Sequence, residues 1–338
     1  PGAKKPARAL VHRAQCASTP PPVQPAAGRS ADSQTRPPAA RATAARTNGT
    51  GTTPPEPDRD ERSYGRLAAE LYQLLIAPIT DQLVGKSKIA ITPSGPLYFV
   101  PFQAIGPVGG DGAVQPLLRD RTIFYINDLS VFLQEGGHRG GNPTIIGFGN
   151  ADGSLPSAER EVEQITKVYP GSKSFIGNAA TEDLAKHIPE GFSVIHFATH
   201  GNLDYHDFKN FYLTLAPNPA AGEDGKLTME EVWGITQLPQ CQLVTLSACN
   251  TAVTDESLAG WPINPANAFL MIGVPSVVAS LWQVDDEATA ILMEDFYKHL
   301  PQLGAAESLR QAQLRLASNP QWSQPFYWAP FVLFGDWR

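Results

Sequence analysis

No run of about 18 apolar residues occurs in the 338-residue chain, so no segment reads as a membrane-spanning helix. No secretory hydrophobic region stands near the start, and the Arg- and Ala-rich opening carries too much proline for an amphipathic transit helix. Cysteine is scarce: Cys16, Cys241 and Cys249, an odd number without regular spacing. That excludes a disulfide framework and a zinc site built on cysteine pairs, and it points to a reducing, cytoplasmic setting. No Gly-x-Ser-x-Gly elbow is present. Gly85-Lys86-Ser87 lacks the first glycine of a phosphate loop, where Thr80 stands. Gly147-Phe148-Gly149 is followed by a third glycine one residue late, at Gly153, which spoils a dinucleotide fingerprint.

Charge is low, at 17% of residues, and unevenly spread. Residues 1–60 hold nine Lys/Arg against four Asp/Glu, and the remainder 17 against 29. An acidic folded part argues against nucleic acid and favours a basic partner or substrate. Residues 1–60 are rich in Pro, Ala, Arg, Thr and Ser. Too few large apolar side chains are present to offset the chain entropy of folding, so a disordered tail is expected there. The chain starts at Pro1 rather than Met, and it is expected to be a piece of a longer protein.

What is present begins near Arg62. Leu67, Leu71, Leu74, Leu75 and Ile79 recur at helical spacing within 64–83, with Pro78 expected to kink the end. Lys88–Thr92 and Leu97–Pro101 read as strands of a hairpin around Pro93-Ser94-Gly95. Another strand is expected at 121–126 and a short helix at 130–135. From residue 143 apolar runs alternate with amphipathic segments. The alternation predicts strands at 144–149, 172–176, 193–198, 242–247, 276–281 and 329–334. It predicts helices at 157–168, 181–187, 265–272, 286–300 and 305–317. The fold class is α/β, a mostly parallel sheet with helices on both faces.

In such sheets ligands bind beyond the carboxyl ends of the strands. Two strands end in reactive residues, His200 and Cys249, 49 residues apart. A nucleophilic thiol needs a rigid, reachable position beside a base, and a strand tip offers one. Gly201 allows close backbone approach, and its N–H with that of Cys249 can serve an oxyanion. Cys241 opens its strand and His196 lies inside one, so both read as structural.

The runs Val194-Ile195-His196-Phe197-Ala198-Thr199-His200-Gly201 and Leu246-Ser247-Ala248-Cys249-Asn250-Thr251-Ala252 resemble the two catalytic motifs of CHAT domains. These are caspase-related peptidase domains, often attached to tetratricopeptide repeats. Ser276–Thr289 and Tyr327–Asp336 resemble the family's strand-to-helix signature and closing strand, and the resemblance runs over 64–338 in order. Residues 255–269, with Trp261 and two prolines, depart from the family's usual Gly-rich stretch. The resemblance implies a caspase-like domain over 61–338, with an N-terminal part at 61–140 and a catalytic part at 141–338. It implies a cytoplasmic cysteine endopeptidase using a Cys249–His200 dyad on a protein or peptide substrate, without metal or organic cofactor. A repeat-containing regulatory partner is expected with it. Asp285 and Asp286 open a helix after a strand, which suits capping. Their segment is also similar to that of separases, relatives that cut after Arg, which implies a substrate-binding role for Asp286, with Asp285 beside it, and a preference for basic residues. The alternatives are a catalytically silent signalling or assembly module and an adaptor acting through the basic tail.

Overall fold

The computed structural model describes residues 59–127, 141–202, 210–235, 238, 240–249, 251–252 and 264–338. The tail expected at 1–60 lies almost wholly outside the described residues, and the helix expected at 130–135 lies outside them altogether.

Eight strands form one sheet: β1 (Lys88–Ile91), β2 (Thr122–Tyr125), β3 (Ile145–Gly149), β4 (Lys173–Ile176), β5 (Val194–Ala198), β9 (Leu243–Ser247), β10 (Ser276–Ser280) and β11 (Phe331–Gly335). Their spatial order is β1-β2-β11-β10-β9-β5-β3-β4. Every neighbouring pair is parallel except β10–β11. The sheet is therefore a block of five parallel strands joined to a block of three that run the other way.

Strands β3, β5, β9, β10 and β11 are buried along their whole length. That is why they read as continuous apolar runs. Side chains alternate between two cores. Ile146, Ile195, Val244, Val277 and Phe334 face one core. Ile145, Val194, Leu243, Val278 and Leu333 face the other.

The first face is covered by α1 (Arg59–Leu75), α3 (Glu182–Lys186), α4 (Met229–Gly234) and α5 (Pro265–Met271). The second is covered by α2 (Pro156–Val168), α6 (Asp286–Leu303), α7 (Ala305–Ala317) and α8 (Pro325–Trp328). Helices thus lie on both faces, as the alternation predicts.

Two glycines set the seat of α2. A Cβ on Gly147 would fall 2.7 Å from Val162 Cγ1, and one on Gly149 would fall 2.9 Å from Val162 Cγ2. The pair that fails as a nucleotide motif serves instead to let a helix lie close on β3.

The structure corrects three expectations. Leu97–Pro101 is no strand: Gly95–Phe99 is a 3-10 helix, and β1 pairs in parallel with β2. Pro96 cannot donate to a ladder, and its fixed φ suits a first helical turn. Tyr125 staples this segment down, its hydroxyl accepting from Phe102 N and donating to Val100 O. The first helix stops at Leu75 rather than running on to residue 83, and a separate 3-10 turn follows at Ala77–Leu83 with Pro78 in its first turn. A second sheet was not foreseen. Strands β6 (Gly201–Asn202), β7 (Tyr212–Thr214) and β8 (Lys226–Thr228) are antiparallel and too short to show a period. The capping box of Thr228 with Glu231, which opens α4, was legible as Thr-x-x-Glu.

Candidate active site

Four neighbouring strands, β10, β9, β5 and β3, end at the same rim of the sheet. The segments that leave them build one cleft. Its lining includes His200 after β5, Cys249 after β9, Val284 and Asp286 after β10, and Glu161 of α2.

Strands β5 and β9 pair in parallel with Ala198 opposite Ser247. His200 and Cys249 each follow by two residues, so the register sets them side by side. Thr199 N donates to Ser247 O at 3.3 Å and carries the pairing one step further. The segment bearing His200 is gripped by Thr214 of β7. Thr214 N donates to His200 O at 2.9 Å, Thr199 Oγ1 donates to Thr214 O at 2.5 Å, and Asn202 Nδ2 donates to Thr214 Oγ1 at 2.7 Å.

The segment bearing Cys249 is tied to the end of β10. Ser280 Oγ donates to Ala248 O at 2.5 Å, and Ala252 N donates to Ser280 O at 2.7 Å. Ser280 N donates to Thr251 Oγ1 at 2.8 Å. A Cβ on residue 201 would fall 2.3 Å from Cys249 O, so the two segments touch through the bare backbone of Gly201. The sequence suggested room at Gly201 for a reacting carbonyl; the close approach in the structure is to Cys249 O.

The Cys249 side chain is half-buried. Burial pushes its thiol above the ordinary range, and a backbone hydrogen bond to Val284 offsets part of that. Its resting form is therefore the thiol, and a base is needed to remove the proton.

His200 is partly exposed. Its Nε2 lies 2.6 Å from Ser154 Oγ and 3.7 Å from Asp152 Oδ2. Ser154 Oγ and its backbone N–H both donate to Asp152 Oδ1, at 2.7 and 3.1 Å. Burial pushes the Asp152 carboxyl up, but the two Ser154 hydrogen bonds and the nearby His200 outweigh it and hold the group below its ordinary range.

Sequence reasoning missed Asp152 and Ser154. The signal was there: Asn150-Ala151-Asp152-Gly153-Ser154 leaves the carboxyl end of β3, beside the strand carrying His200.

The expected acids part company. Asp285 is the N-cap of α6, its carboxylate accepting from Ala288 N at 2.9 Å. Asp286 lines the cleft, but its Oδ2 accepts from Ser157 N at 3.0 Å and so caps α2 from outside. One carboxylate oxygen of Asp286 is thus engaged.

Beneath the cleft, His196 is wholly buried on β5. Its Nδ1 lies 3.1 Å from Tyr297 Oη, which donates to Thr245 Oγ1 at 2.8 Å. Its Nε2 is 2.7 Å from Glu161 Oε1, a close approach rather than an aligned hydrogen bond. Elsewhere, carboxylates of Glu182, Glu223 and Glu231 converge within 4.8 Å. Lys186 Nζ contacts all three, so a side-chain ammonium already fills the role of a cation there. Among the described residues, no helix is long and apolar enough to cross a membrane.

Comparison with known proteins agrees with this architecture. Tetratricopeptide repeat protein 28 of Homo sapiens is 26% identical over 332 residues, and that of Mus musculus 24% over 330. Each match covers 79% of this chain, which spans only 13% of the length of those relatives. Among solved structures, the Arg-specific cysteine proteinase gingipain R superposes with a TM-score of 0.51 at 12% identity. That match covers 82% of this chain and 67% of gingipain. A chain of the Saccharomyces cerevisiae separase–securin complex gives 0.50 at 14% identity, covering 73% of this chain and 15% of that one. At such identities the likeness is one of fold, and the fold is caspase-like. Residues 65–336 match the CHAT domain, so the chain belongs to the CHAT domain family.

Proposed function

We propose that this chain is a cysteine endopeptidase that cuts a protein partner. The observation carrying the reading is the in-register placement of His200 and Cys249 at the tips of adjacent parallel strands, both lining one cleft. Cys249 attacks the scissile carbonyl as His200 takes the thiol proton. The Gly201 and Cys249 amides donate to the oxyanion, and His200 returns the proton to the leaving amine. Water, activated by His200, then attacks the thioester and regenerates the thiol. Because burial favours the protonated thiol, His200 acts as a base during attack rather than as the partner of a standing thiolate.

A basic residue before the scissile bond suits the acidic folded part and the Asp286 carboxylate in the cleft. Asp285, spent on its cap, supports the helix that presents Asp286 and does not meet substrate itself. A tetratricopeptide-repeat segment or partner that controls access fits the relatives' architecture.

Labelling with a thiol-reactive peptide that carries a basic residue tests the proposal, with Cys249→Ala as control. Labelling at Cys249, favouring Lys or Arg over Asp, supports it; an unlabelled Cys249 in a folded protein sinks it. Asp286→Asn keeps an acceptor for Ser157 N and removes the charge, so it is expected to lower turnover of basic peptides by about tenfold or more without unfolding α2. The second reading, a silent signalling or assembly module, is favoured by one observation: the thiol sits in surroundings that raise rather than lower its pKa. Turnover of a peptide substrate separates the two.

A further inference from the structure

We propose that Asp152 and Ser154 are positioning residues that fix the tautomer of His200, leaving Nδ1 as the nitrogen that exchanges protons with Cys249. The proposal rests on the peptidase reading for its catalytic meaning, but its hydrogen-bond argument stands apart from that reading.

A hydroxyl has one proton to give. An ionised carboxylate can only accept, so the 2.7 Å contact between Ser154 Oγ and Asp152 Oδ1 uses the Ser154 proton. Toward His200, Ser154 Oγ is then left as an acceptor. The 2.6 Å contact to His200 Nε2 must be made by an N–H on that nitrogen. In a neutral ring with Nε2 protonated, Nδ1 carries the lone pair. The chain of groups thus runs from carboxylate to hydroxyl to imidazole.

Two further features suit this arrangement to proton transfer. The second oxygen of Asp152 lies 3.7 Å from Nε2, so the carboxylate stands beside the same ring nitrogen that Ser154 engages. The turn carrying both groups is also held firmly. Asn150, at φ 48°, takes Leu155 N onto its Oδ1 at 2.7 Å, and its own N donates to Ala198 O at 3.0 Å. Ala198 ends β5, two residues before His200, so the turn and the imidazole share one anchor. Serine triads fix a histidine through a buried acid in direct contact. Here the acid is half-exposed and acts through a hydroxyl, so a smaller effect is expected.

The test reads the ring directly. The full chain with 15N-labelled histidine is examined by NMR at a pH where the ring is neutral, His200→Gln serving to assign its signals. The expected result is a protonated Nε2 and a bare Nδ1 in the unmodified chain. Ser154→Ala is expected to give mixed tautomers and Ser154→Thr to restore the single one. On a peptide substrate, Ser154→Ala is expected to lower kcat roughly tenfold with KM unchanged, within the ~10²–10⁴-fold that positioned proton transfer supplies. Ser154→Thr should recover most of that loss. Protonation on Nδ1 in the unmodified chain overturns the proposal, and so do ring signals or a kcat indifferent to Ser154→Ala. If the expected tautomer is found in a chain that turns over no peptide, the hydrogen-bond assignment is upheld and the peptidase reading is what fails.

Discussion

Strands β5 and β9 each carry a reactive side chain at the tip and a like residue farther back. His200 and Cys249 stand at the rim; His196 lies inside β5, and Cys241 precedes β9. The inner pair is sealed. His196 has no exposed surface and sits among Glu161, Tyr297 and Thr245. Cys241 is buried, and desolvation pushes its thiol up to about 12. The outer pair is reachable, and its polar partners come from loops. Residue type alone does not decide the role. Position along the strand does, because solvent and substrate meet the sheet only where the strands end.

The largest expected contrast lies between the cysteines. Cys249→Ala is expected to lower peptide turnover by at least about 10⁴-fold, and Cys241→Ala to leave it within a few-fold. Alkylation should follow the same division. Of these two, Cys249 is expected to be labelled in the native protein, and Cys241 only after unfolding. Because the Cys249 thiol is raised, its labelling rate should keep climbing with pH beyond the range of an ordinary cysteine. A rate that levels off below that range would break the comparison.

The histidines should separate activity from stability. His200→Ala is expected to cost about 10²–10⁴-fold in turnover with an unchanged melting temperature. His196→Ala leaves the Glu161 carboxylate buried without its neighbour and is expected to destabilise the fold by about 3 kcal/mol, read by urea unfolding. If His196→Ala instead loses turnover at full stability, the buried cluster belongs to the chemistry.

A smaller effect tests how the rim is built. Gly147→Ala forces a methyl into the space of Val162 and is expected to cost about 1–3 kcal/mol. Turnover should fall with it, because α2 presents Ser157 to Asp286 and Glu161 to the cleft floor. Full activity in a destabilised variant would show that the seat of α2 does not set the site.

The smallest effect concerns acid. The folded-state pKa of Asp152 is depressed, so its contribution to stability is present above the unfolded value and is lost as pH falls through the folded one. Asp152→Asn should therefore slightly flatten the acid side of the stability profile. A steeper acid side would contradict the carboxylate's assigned environment.

Much of this was legible in the sequence where burial is complete. Strands β3, β5, β9, β10 and β11 stand out as apolar runs because both faces are covered. His200 and Cys249 stand out because each run ends in a short polar motif. Legibility failed where structure depends on contacts distant in sequence. The 3-10 turn at Gly95–Phe99 is held by Tyr125, which no local pattern announces. The small β6-β7-β8 sheet is made of two- and three-residue strands. Asp152 and Ser154 gain meaning only once β3 is known to lie beside β5. The division of labour between Asp285 and Asp286 rests on Ser157, 129 positions upstream of Asp286.

The reversal between β10 and β11 has a consequence for how the chain can be divided. Strands β1 and β2, from the segment before residue 141, continue the sheet through β11, the last strand of the chain. Strand β11 therefore lies between β2 and β10, and strands from before residue 141 form the outer flank of the sheet on that side. A fragment starting at residue 141 would leave β11 with a free flank, an invitation to pair with another molecule. Such a fragment should be recovered as aggregate, although it keeps both His200 and Cys249. Residues 61–140 and 141–338 thus contribute strands to one sheet, and the candidate site is expected to need both parts.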